Sequence, residues 1–200
     1  MKQSIYSLHP AYAMEEAIIN NLIKKSGRSL EEWYKTAKKI DSGDERQLKT
    51  DLIKQEKLST NQAMFLVERY KGRGGAENYN PEALVNSLFT GSRIDLRPLY
   101  DKLIARILDY HLDIQLCPAK SVVSIYGNLL FANLKPTTKT RIDFGFALRN
   151  EKFTDKLKDT GGYAKNDKIT HRMEIRTKSD VNSFFDSCFM AAYKLDLESK

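Results

Sequence analysis

At 200 residues, with 41% hydrophobic and 30% charged side chains, the chain has the make-up of folded protein and length enough for two small domains. No run approaches the ~20 apolar residues of a membrane span, and after Lys2 no apolar core follows, so no secretory signal and a cytoplasmic address are expected. The formal net charge of +7 is uneven: Lys135 to Lys178 carries twelve Lys and Arg against six Asp and Glu, whereas residues 1–78 carry fourteen against eleven.

From residue 11 to 71 apolar positions recur every three to four residues, the spacing of helices that bury one face. The first predicted helix carries Met14, Ile18, Ile19, Leu22 and Ile23 and stops at Lys24-Lys25-Ser26-Gly27, with cations in the last turn and glycine beyond. Three more start on capping-box patterns: Ser29 to Glu32, Asp44 to Gln47 and Ser59 to Gln62. Short loops between them predict a bundle, with Trp33 as a core anchor. The closely spaced pair 45–57 and 60–71 also has the outline of a helix-turn-helix that would present Asn61, Gln62 and Arg69. Any antiparallel helix pair has this spacing, and Glu56 and Glu68 oppose a phosphate contact.

The run Lys25-Ser26-Gly27-Arg28-Ser29-Leu30-Glu31-Glu32-Trp33 resembles the K-x-T-G-K-S-x-E-E-W signature of a small bacterial helical domain of unknown function, with Ser26 and Arg28 replacing Thr and Lys. The resemblance covers roughly residues 11 to 75 and implies no particular activity.

Gly72, Gly74 and Gly75 with Asn80-Pro81 form a predicted connector, after which the period changes. A helix opens at Pro81 and stops at Gly91, and a second, capped by Asp95, runs to about Tyr110. Strands follow at Ile114 to Leu116, then a hairpin of Val123 and Ile125 with Leu130, Ala132 and Leu134 across Gly127-Asn128. After a turn at Pro136 to Lys139, the residues Ile142, Phe144, Phe146 and Leu148 alternate with Arg141, Asp143, Gly145 and Ala147. His171 to Arg176 reads as a further strand. Ser179-Asp180 is predicted to cap a last helix whose stripe holds Val181, Phe184, Phe185, Cys188, Phe189 and Ala192. Cys188 on that stripe, and Cys117 before Pro118, read as reduced thiols.

Residues 83 to 193 resemble a second bacterial domain of unknown function, often catalogued as a "predicted transport protein". The matching features are Arg97 to Leu103, Phe131 to Leu134, Arg141 to Gly145, Thr170-His171 and Asp180 to Tyr193. Members of that family occur alone, behind the helical domain or joined to nuclease-like domains. No predicted segment here could cross a membrane in support of transport.

Catalytic patterns are not evident. The three histidines lack metal spacing, and neither a Gly-x-Ser-x-Gly elbow nor a P-loop occurs. Glu174-Ile175-Arg176 places Arg where a Glu-x-Lys nuclease needs a lysine able to give up its proton. The sequence therefore predicts an α+β protein with a helical bundle over 1–75, a linker over 76–82 and an antiparallel sheet of four or five strands over 83–200, helices on one face. The expected activity is non-enzymatic binding of nucleic acid or another polyanion through the 135–178 region, with Lys139, Arg141, His171, Arg172 and Arg176 as candidates and no catalytic residue, metal or cofactor. Two alternatives stand beside it: an enzyme with a site near His171, and an adaptor that binds a protein partner through the helical domain.

Overall fold

The computed structural model describes residues 4–149 and 151–199. The chain divides into two compact units, one formed by Leu8–Asn80 and the other by Pro81 onward together with the segment that ends at Ser7. The fold is α+β.

Local signals decide where the helices of the first unit begin and end. Helix α1 (Ala11–Ser26) closes on Gly27, whose φ of 69° lets its N–H reach the carbonyl of Ile23. Helix α2 (Leu30–Ile40) starts on a complete capping box: the Ser29 hydroxyl accepts the Glu32 N–H, and the Ser29 N–H donates to the Glu32 carboxylate at 2.7 Å. Ser59 and Gln62 repeat it at helix α4 (Thr60–Tyr70). Helix α3 (Glu45–Glu56) makes only half of the box. Asp44 accepts from Arg46 and Gln47 N–H, but the Gln47 side chain donates forward to Asp51 at 2.8 Å rather than back to the cap.

Trp33 is buried in one core cluster with Leu48, Leu52 and Leu66, and its Nε1–H donates to the Ser26 hydroxyl at 3.2 Å, so its one polar atom is satisfied. Arg69, which a helix-turn-helix would present to DNA, is turned inward. Its Nε donates to Glu15 at 2.6 Å and its Nη2 to Glu16. The same Glu15 carboxylate accepts the Gly75 N–H at 2.8 Å, tying the turn after α4 to α1.

In the second unit, helix α5 (Pro81–Leu88) opens on its proline. Helix α6 (Arg97–Leu108) has no side-chain cap, and Asp95 is not its N-cap. A 3-10 turn over Gly91–Leu96 runs straight into the helix, so the preceding backbone is already helical and offers no extended residue for capping. Six strands follow: β1 (Gln115–Pro118), β2 (Val123–Tyr126), β3 (Leu130–Thr138), β4 (Arg141–Phe146), β5 (Lys158–Asp159) and β6 (His171–Ile175). All pair antiparallel in the order β1-β2-β3-β4-β6-β5.

Strand β3 runs through the expected turn at Pro136. Strand β2 pairs with β3 only as far as Leu134, so the missing proline N–H falls beyond the shared ladder, and a bulge between Pro136 and Thr138 absorbs the misfit. The turn itself is Lys139-Thr140.

One face of the sheet is covered by helices. Ile142, Phe144 and Phe146 of β4 point into the core, and Phe144 meets Phe185 of helix α7 (Ser183–Leu197) edge-on at 4.9 Å. Phe185, Cys188, Phe189 and Ala192 form the buried stripe of α7. Phe184 does not share it; one position is about 100° of helix rotation, and this ring is 38% exposed. The cap of α7 is Asn182, which accepts from Phe184 and Phe185 N–H. Asp180 is engaged elsewhere, accepting the backbone N–H of Arg176 and Thr177.

Both cysteines are buried and in no disulfide, and burial pushes the Cys117 thiol up to about 11. The N-terminal segment joins this unit through Ser7 N–H to the Leu116 carbonyl at 2.8 Å and a Tyr6–Tyr100 hydroxyl contact at 2.9 Å. Among the described residues, no helix is long and apolar enough to cross a membrane.

Candidate functional site

The face of the sheet opposite α7 is polar, and strand register decides what stands on it. Lys135, Asp143 and Glu174 lie in one row across β3, β4 and β6; Asn133, Gly145, Arg172 and Lys158 lie in the next. At Gly145 a Cβ would sit 2.4 Å from the Asn133 amide oxygen and 2.6 Å from a methyl of Ile169, so a larger residue there would displace both side chains.

Asp143 and Glu174 are each only 16% exposed at the side chain, and cations close over both. Arg172 Nη1 lies 3.1 Å from Asp143 and 3.5 Å from Glu174. Arg141 reaches Glu174 at 3.3 Å, Lys158 reaches it at 3.1 Å and Arg176 at 3.1 Å. The Arg141 Nε stands 2.8 Å from Asp143 Oδ1, yet neither atom makes an aligned hydrogen bond, so this contact is Coulombic attraction alone. Burial pushes the Glu174 carboxyl up, but the pull of Lys158, Arg176 and Arg141 outweighs it and holds the group below its ordinary value.

Of the five residues singled out in the sequence, the fold brings three together: Arg141, Arg172 and Arg176 share this network. Lys139 is exposed on the β3–β4 turn, beside it. His171 does not belong to the surface. It alternates with Arg172, faces the core with Phe146 as its cross-strand neighbour, and is fully buried. Its Nε2–H donates to the Glu151 carbonyl at 3.0 Å, since a carbonyl only accepts, and in the neutral ring Nδ1 takes the Thr170 hydroxyl proton at 2.8 Å.

Sequence reasoning missed Lys158, because β5 is two residues long and shows no period. It also missed the outward turn of Phe184, because adjacent phenylalanines look alike on a stripe.

Two hollows open on this unit. One, of about 250 Å³, lies where Lys158, Glu174 and Arg176 meet Lys156, Asn182 and Phe184, with the carboxylates of Asp155 and Asp180 also on its wall. The other, of about 620 Å³, is walled by Phe131, Arg149, Lys168 and Thr170. Among the described residues, no group of three His, Cys, Asp or Glu is placed to hold a metal ion.

Residues 85–196 match the family model described as Domain of unknown function (DUF5655). No curated protein and no solved structure matches the chain. With more than half of its 200 residues inside that match, the chain belongs to the DUF5655 family.

Proposed function

We propose that the outer face of the sheet binds a polyanion, nucleic acid in the first place, and performs no chemistry on it. The observation that carries this reading is the layering of charge. Two carboxylates lie beneath, and the groups nearest solvent are cations, with Arg176 50% exposed and Lys158 43%. Lys135 and Lys139 make no ion pair among the described residues and extend the positive field along β3 and its turn. An approaching phosphate meets ammonium and guanidinium groups first, while the half-buried carboxylates hold them in place.

The test is retention of mixed-sequence DNA or RNA at low ionic strength. The pair Arg141→Ala and Arg172→Ala should weaken binding and flatten its salt dependence by about one unit per lost phosphate contact. Lys135→Ala with Lys139→Ala should act in the same direction while leaving the ion-pair network intact. Absence of any retention at low salt ends this reading.

A second reading, an enzyme near His171, has one observation in its favour. The Thr170 hydroxyl donates into His171 in the manner of a nucleophile and its base, on the wall of the larger hollow. It requires Thr170 to be labelled by an electrophilic acylating probe; an unlabelled Thr170 removes it.

A further inference from the structure

The smaller hollow combines groups that a purely electrostatic surface does not need. Phe184, on the first turn of α7, leaves its ring open to solvent on one side of it. Lys156 Nζ stands 5.9 Å from the centre of that ring, a cation over an aromatic face. Lys158 and Arg176, the two most exposed cations of the network, form the rim shared with the outer face. Strand β5 pairs only with His171 and Arg172, so no strand covers the edge of β6 beside the hollow from Met173 onward among the described residues. An open ring next to a row of cations is the recognition chemistry of an unpaired base joined to a phosphate backbone. In a duplex the base faces are stacked on one another and only their edges are offered, so duplex nucleic acid cannot use such a ring. A single nucleotide would leave most of the row unused, since the cations continue from Lys158 through Arg172 and Arg141 to Lys135. That path crosses three strand spacings, about 14 Å.

We infer that the ligand is single-stranded nucleic acid, with its backbone following the path of cations from Lys158 through Arg172 and Arg141 to Lys135, which steps between register rows, and one base seated on Phe184. This rests on the polyanion reading and adds the substrate class to it.

The experiment compares four labelled probes at one ionic strength: a mixed-sequence single strand, an abasic strand of the same phosphate number, the corresponding duplex, and heparin. The wild-type protein should bind the base-bearing strand about tenfold more tightly than the abasic one. Phe184→Ala should abolish that ratio and leave abasic and heparin binding unchanged. Phe184→Leu, which keeps apolar bulk on the same helical turn, should also lose most of the ratio, separating stacking from folding. Equal binding of base-bearing and abasic strands, tighter binding of the duplex, or an unchanged ratio in both variants overturns the inference while the polyanion reading stands. Failure to bind any of the four, heparin included, overturns both.

Discussion

Asp143 and Glu174 stand directly opposite each other on β4 and β6. Like charges at directly opposed positions repel, and here both are largely withdrawn from water. The pair persists because Arg172 bridges it and Arg141, Lys158 and Arg176 close around it. The arrangement makes the basic face a property of strand register rather than of loosely held surface lysines. Glu174→Gln keeps the shape and removes the charge on which four cations converge. It should lower stability by about 1–3 kcal/mol and, by leaving those cations uncompensated, tighten polyanion binding. Urea midpoints and heparin retention read the two effects in one pair of proteins. A variant as stable as wild type would show that the network contributes only position.

The same carboxylate predicts a pH dependence. The folded protein holds the Glu174 carboxyl below its ordinary value, so its contribution to stability is fully present above the unfolded value of about 4.3. That contribution is lost as pH falls through the lower, folded value. Wild type and Glu174→Gln should differ in urea midpoint at pH 7, and the gap should narrow as pH falls below about 4.3 and close below the folded value. A gap that persists at low pH would trace the loss to packing instead.

How much of this was legible in the sequence depended on the range of the cause. The boxes at Ser29 and Ser59 are contacts across three residues, and the motif alone announced them. The alternation of Ile142, Phe144 and Phe146 announced the buried face of β4, and its parity put Arg141 on the other side. His171 carried the same signal, sharing its parity with Met173 and Ile175, but its neighbour Arg172 drew it into the basic set. What could not be read were pairings made only by the folded register. Arg141 and Glu174 are 33 residues apart, and nothing local says that β4 lies beside β6. Phe184 failed for a different reason: adjacent helix positions lie about 100° apart, so whether both reach the core depends on the width of the buried face, and the sequence does not say that Phe184 falls outside it while Phe185 falls within.

The N-terminal segment offers a test of a buried polar pair. The Tyr6 and Tyr100 hydroxyls meet at 2.9 Å, and burial together with this bond pushes the Tyr100 phenol well above its usual range. Tyr6→Phe leaves the Tyr100 hydroxyl without that partner and should cost about 1–2 kcal/mol. Replacing both by Phe removes both polar groups, so the double variant should lose less than the sum of the singles. Additive losses in thermal unfolding would mean that the two hydroxyls act independently.

The distribution of two residue types allows each unit to be followed separately. Trp33, the only tryptophan, lies in the helical unit, whereas Cys117 and Cys188 both lie in the other. Fluorescence therefore reports one unit and thiol accessibility the other. Truncating the buried indole in Trp33→Ala removes a large side chain from the bundle core and should cost that unit about 3–5 kcal/mol. If the units fold independently, the helical signal at 222 nm should show an early loss in this variant. The denaturant midpoint for reaction of Cys117 and Cys188 with a thiol reagent should stay where it is in wild type. Burial and the raised Cys117 value predict that neither thiol reacts below that midpoint at pH 8. A thiol midpoint that falls together with the helical signal would show instead that the two units unfold as one cooperative body.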